Sequence, residues 1–119
     1  MEITTQEIGH VELVTIQGRV DSVEGARLAK ALESAFYRGK YRMVVDMSQV
    51  EYMSSAGFRA LADAQRNSQR RQRGEVVLAQ VPANILEALD LGGFTEYFHF
   101  EESVPAALAF AENLPASDS

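Results

Sequence analysis

Two adjacent serines, Ser54 and Ser55, stand where an apolar segment gives way to an amphipathic one, and of all the residues in this chain they are best placed to do chemistry. The run Val44-Val45-Asp46-Met47 reads as a covered strand ending in an acid. A short loop follows, and Ser54-Ser55-Ala56-Gly57-Phe58-Arg59 opens a helix. A helix start presents unpaired N–H groups and the positive end of the macrodipole, so an anion is favoured there. A phosphoryl group on Ser55 would be tolerated by the fold, yet would add about −1.5 to −2 charge to the surrounding surface. That is the chemistry of a switch. A plainer role competes with it: serine is a favoured N-cap, and Gly57 would let the helix pack closely against a strand.

Other chemistries find little to work with. The chain has no cysteine, which removes thiol nucleophiles, disulfides and thiolate metal sites. His10 falls at an expected turn and His99 in an expected strand, with no spacing that would pair them as metal ligands or set either beside a nucleophile. Gly92-Gly93 follows a helix instead of opening one, and Gly57 stands alone, so no glycine-rich phosphate loop is present. No catalytic constellation, metal or cofactor is expected. The cluster Arg66, Arg70, Arg71 and Arg73 lies near an expected helix C-terminus, where the dipole favours cations; a solvated helix end is the simplest account of it.

A length of 119 residues fits one domain and is enough to bury a core without a disulfide or metal staple. The net charge of −6 argues against nucleic-acid binding, which needs a basic surface. The charge is also unevenly spread. Residues 1–73 hold all eleven Lys and Arg against nine acids, net +2, whereas residues 74–119 hold eight acids and no Lys or Arg, net −8. Such a division can orient a protein partner, although an uneven solvated surface would look the same. No apolar run approaches the ~18–20 residues of a membrane span, and Met1 to Glu7 lacks the basic and hydrophobic regions of a secretory signal. A cytoplasmic protein without membrane insertion is expected.

The elements that must position the serines follow from periodicity. Strands are expected over 3–8 and 10–17, the second ended by Gly18. Asp21 and Ser22 are candidate caps for a helix reaching about Arg38, whose stripe Leu28, Leu32, Ala35 and Phe36 steps by three and four. A strand over 42–47, a helix over 55–72 with Phe58, Leu61, Ala64 and Ser68 inward, and a strand over 75–79 come next. A helix over 83–91, a strand over 95–100 and a helix over 104–113 complete the domain, 1–113, and 114–119 reads as a flexible tail. Strand and helix alternate after an opening strand pair. That order predicts an α/β domain with a mixed, mostly parallel sheet and four helices packed on it.

Four segments, in order, resemble the STAS domain family, in particular bacterial anti-sigma factor antagonists. They are Gly18-Arg19-Val20-Asp21, the Ser54–Arg59 helix start, Val76-Val77-Leu78-Ala79 followed by Pro82, and Leu89-Asp90-Leu91-Gly92-Gly93-Phe94. The resemblance implies that Ser55 is phosphorylated by a partner anti-sigma serine kinase, that the unphosphorylated form binds this kinase, and that transcription is regulated by partner switching. It also implies a partner-binding surface comprising Asp21, Ser54, Ser55, Gly57 and Arg59, with Asp46 at the acidic end of the third strand. Many phosphorylated members carry Asp before the serine; here Ser54 stands there, which makes Ser54 the second candidate acceptor. The alternative roles are a non-phosphorylated STAS accessory subunit of a transport or lipid-trafficking complex, or a scaffold subunit, assembled with other STAS proteins, in stress signalling.

Overall fold

Nearly continuous apolar runs in the central strands need cover on both faces of a sheet, and the chain supplies it unequally. The computed structural model describes residues 1–115 except residue 73 and the side chains at 71 and 72; Arg71 and Arg73 of the arginine cluster, and 116–119 of the expected tail, thus lie outside the described residues. A hairpin, β1 (Glu2–Ile8) and β2 (Val11–Val20), is followed by α1 (Ser22–Tyr37), β3 (Arg42–Met53), α2 (Ser55–Gln72), β4 (Glu75–Ala79), α3 (Ala83–Leu91), β5 (His99–Glu101) and α4 (Val104–Glu112). The five strands lie in sequence order, β1 antiparallel to β2 and every later pair parallel. The fold is the expected α/β domain with a mixed sheet and four helices.

Successive β-strand side chains point to opposite faces. Met43, Val45 and Met47 of β3 and Val76 and Leu78 of β4 therefore join Leu28, Leu32, Leu61, Ile85 and Leu89 in one core under α1, α2 and α3. Val44 and Val77 face the other way and pack with Val11, Ala79, Ala107 and Ala111 beneath α4 alone. The inner stripe expected for α2 is seen: Phe58, Leu61, Ala64 and Ser68 are all buried. Among the described residues no helix is long and apolar enough to cross a membrane.

Three boundaries differ from those read in the sequence. Gly18 does not end β2: it adopts φ +93° inside an irregularity of the β2–β3 register, and the strand continues to Val20. A residue without Cβ makes that bulge possible. β3 likewise runs on to Met53, well past Met47, because Gln49–Met53 find partners in Gln17–Val20 even after β4 has ended opposite Asp46. Asp46 is consequently a mid-strand residue, and its carboxylate accepts a hydrogen bond from the Ser48 N–H at 3.0 Å. At the other edge, the expected strand over 95–100 shrinks to 99–101. Thr95–Tyr97 coils into a 3-10 turn.

A side chain of α2 holds the 3-10 turn against the start of β4. Gln65, 1% exposed in the middle of α2, donates from Nε2 to the Tyr97 carbonyl at 2.8 Å and accepts from the Val76 N–H at 2.6 Å. One amide thus satisfies a donor at the start of β4 and an acceptor in the turn before β5. Replacing it should strand both. Gln65→Leu is expected to lower unfolding stability by about 2–4 kcal/mol, since each buried group left unpaired costs roughly 1–3 kcal/mol. Chemical denaturation followed by far-UV circular dichroism would measure the loss; a variant as stable as the parent would remove this bridge from the account.

Candidate functional site

Beyond Asp46 the sheet narrows to an arm of two strands, Gly18–Val20 and Val50–Met53, and each strand of the arm runs straight into a helix start. The Ser54 N–H donates to the Val20 carbonyl at 2.8 Å, which extends the pairing by one more bond and places the two helix starts side by side. Asp21 caps α1: its Oδ1 accepts from the Glu24 N–H at 2.8 Å, and its backbone is extended, as an N-cap requires.

Ser54 occupies the cap position of α2 by its backbone, since its carbonyl accepts from the N–H groups of Gly57 and Phe58 at 3.0 and 3.1 Å. Its hydroxyl does not follow the usual capping pattern. Ser54 Oγ is buried and has no hydrogen-bond partner among the described residues. Ser55, the first residue of the helix, is exposed, and so is Arg59 one turn further along the same face. The two serines thus differ in access: one hydroxyl faces the interior and the other residue faces solvent.

Space at this junction is tightly limited. A Cβ built on Gly25, in the first turn of α1, would lie 2.8 Å from Ala56 Cβ and 2.9 Å from the Ala56 carbonyl carbon. A Cβ on Gly57 would lie 2.5 Å from Met53 Cγ and 3.1 Å from Val20 Cγ1. Gly57 is buried, so its part at the junction is close packing of α2 onto the arm. Asp21, Ser55 and Arg59 are brought to one exposed end of the molecule; Asp46 lies further back along β3.

The structure adds residues that were not selected from the sequence. Gly25 sets the distance between the helices, and a glycine in a helix's first turn was the only sign of it. Arg19 stacks over the ring of Tyr52, its cross-strand partner, with Cζ 4.6 Å from the centroid. Val23, in the first turn of α1, is 74% exposed and falls off the helix's buried stripe. An apolar residue there offers contact area beside Asp21 without serving the core.

Further ion pairs fasten the opposite end of the sheet. Glu112, at the end of α4, accepts from the His10 N–H at 2.9 Å and pairs with His10 Nδ1 at 2.7 Å. The backbone bond from His10, and then its ring, hold the Glu112 carboxyl below its ordinary range; Lys40, 2.7 Å away, does the same for Glu7. On β5, towards the carboxyl end of the sheet, His99 stacks on Phe110 and pairs with Glu101. Among the described residues no three His, Asp or Glu side chains converge as a metal site would require.

Comparison with known proteins adds to this geometry. The STAS domain family model matches residues 2–107. BtrV of Bordetella bronchiseptica, whose name marks it as a candidate anti-sigma factor antagonist, is 30% identical over 116 residues, spanning 97% of this chain and 99% of that protein. Among solved structures, an anti-sigma factor antagonist from Mycobacterium paratuberculosis shares the fold with a TM-score of 0.80 at 18% identity, over 94% of each chain. The anti-sigma factor antagonist SpoIIAA matches in its unphosphorylated form with a TM-score of 0.76 at 10% identity, over 95% of this chain and 100% of that one. Its phosphorylated form, from Bacillus, gives 0.72 at 11% identity, over 92% and 99%.

Three substitutions separate the structural part of this junction from its charge. Asp21→Ala should lower stability by about 0.5–2 kcal/mol through loss of the cap, whereas Asp21→Asn keeps an equally good cap and should stay within a few tenths. Gly25→Ala should cost about 1–3 kcal/mol, because the new methyl group meets the Ala56 backbone. Thermal and denaturant unfolding of the three variants would check both; a fully stable Gly25→Ala protein would mean that the helices can part freely.

Proposed function

The chain belongs to the STAS domain family, and we propose that within it the protein acts as an anti-sigma factor antagonist switched by phosphorylation of Ser55. In this reading the unphosphorylated protein binds a cognate anti-sigma serine kinase through the exposed junction of α1 and α2. The kinase then transfers the γ-phosphoryl group of ATP to Ser55 Oγ, binding weakens, and transcription is regulated by the exchange of partners. The protein would act in the cytoplasm. The observation that carries the reading is the difference between the two serines. Ser55 is exposed at the first position of an 18-residue helix, while the hydroxyl of Ser54 is buried.

The physical consequences of a phosphate at Ser55 differ between the free protein and the complex. In the free protein it sits at a helix N-terminus, where the dipole favours it by about 0.3–1 kcal/mol. Arg59, one turn on, can meet it from the same face. In a complex the same dianion must shed water, lies at the end of the molecule that carries Asp21, and confronts a surface that had accepted a hydroxyl. An unpaired charge buried in this way costs several kcal/mol. The fold should tolerate the phosphate; the complex should not.

Incubation with the cognate kinase and ATP is expected to add one phosphate, mapped by mass spectrometry to Ser55. Labelling should vanish in Ser55→Ala and persist in Ser54→Ala; normal labelling of Ser55→Ala would overturn the assignment. Ser55→Asp should melt close to the parent yet bind the kinase at least about tenfold more weakly, a difference of about 1.4 kcal/mol. Asp21→Asn should alter kinase affinity without altering stability. A Ser55→Asp protein that binds as tightly as the parent would remove the switch.

A further inference from the structure

A groove of about 690 Å³ opens at the carboxyl end of β4 and β5, apart from the helix start that carries Ser55. Val81, Leu86 and Phe100 form its apolar wall, and Gln80, Glu101 and Glu102 line its polar side. Three features distinguish it from an ordinary surface dent. First, Leu86 is 41% exposed, although its helix already buries Ile85 and Leu89 in the core; its side chain serves the groove and not the interior. Second, Gln80 has φ +53°, the one non-glycine residue in the left-handed region among the described residues. Its N–H donates to the Glu101 carbonyl at 3.0 Å, which closes the β4–β5 ladder at the Ala79–Glu101 pair before the chain swings away towards α3. Strain of this kind persists where surrounding structure holds it, and it gathers at binding sites. Third, the groove belongs to the half of the chain that has eight acidic residues and no Lys or Arg, and Glu102 stands exposed in its lining.

Together these features define the chemistry of the occupant. The apolar wall accommodates aliphatic side chains; Glu101 is already paired with His99, and the exposed Glu102 beside it favours cations and repels anions. We propose that the groove is a docking site for a segment of a partner protein that carries one or two aliphatic side chains flanked by Lys or Arg. It is a second contact surface, separate from Ser55, and its occupation does not depend on the phosphorylation reading. An acidic peptide or an anionic lipid surface would meet the wrong sign of charge.

The probe is a blocked pentapeptide with two central leucines flanked by lysines, titrated into the full ¹⁵N-labelled chain and followed by amide chemical shifts. Saturable shifts are expected at Gln80, Val81, Leu86 and Phe100 to Glu102. Two control peptides, with glutamate for lysine and with serine for leucine, should each bind more weakly by about fivefold or more, the loss expected when charge complementarity or an aliphatic contact is removed. Leu86→Gln and Glu102→Gln, both exposed positions whose spectra report directly on folding, should each weaken the leucine–lysine peptide in the same way. Shifts scattered over the acidic surface, or equal affinity for either control peptide, would overturn the proposal. So would unchanged binding in both variants.

Discussion

The first turn of α1 lies against the first turn of α2 with no room for a methyl group between them, and the exposed end of the molecule that carries Asp21 and Ser55 depends on that contact. Gly25 against Ala56 and Gly57 against Met53 and Val20 bring two helix N-termini together at the tip of a two-stranded arm. Two positive dipole ends placed side by side repel weakly, so packing and backbone bonding must hold them. The bond from the Ser54 N–H to the Val20 carbonyl and the Asp21 cap do this work locally. The sheet beneath supplies the rest through β2 and β3, whose buried faces admit no change of register.

The molecule divides its tasks between the two ends of its sheet. At the amino end, charged groups are used up in fastening the chain to itself: Glu112 to His10, Lys40 to Glu7, and Arg42 to the carbonyls of Glu112 and Pro115. At the carboxyl end the loops and helix starts leave Ser55, Arg59, Val23 and the Leu86 groove facing outward. A phosphoryl group arriving there would change the surface without reaching the core, because the buried contacts of α2 begin at Gly57 and Phe58, past its exposed first residue. The exposed end can therefore be altered while the core stays intact.

Much of this was legible in the chain. Asp21 followed by an amphipathic stripe marks a capped helix wherever it occurs, because capping and the 3.6-residue period are local. The boundaries of α2, β4 and α3 came out as read for the same reason: Gly74, Pro82 and Gly92 punctuate them directly. Ser54 and Ser55 could be singled out together by their place at a helix start, and the family resemblance alone favoured Ser55 between them. The sequence could not say which of two adjacent serines faces solvent. A helix turns by about 100° per residue, so the answer hangs on how α2 is rotated against the arm.

What the sequence determined by itself was the alternation of strand and helix, the caps, the apolar stripes and the uneven charge, all of which act over a few residues. What the tertiary structure alone decided was where pairing continues and where it stops. β2 and β3 outrun their local signals because each gives the other a partner, and 95–97 coils into a turn whose Tyr97 carbonyl is bonded by Gln65, some thirty residues away in sequence. Hydrogen bonds between distant segments have no signature in a local pattern, since a buried donor or acceptor is satisfied by whatever the fold brings to it. The same holds for the burial of Ser54 Oγ and the exposure of Ser55: only the packing of α2 on the two-stranded arm tells them apart.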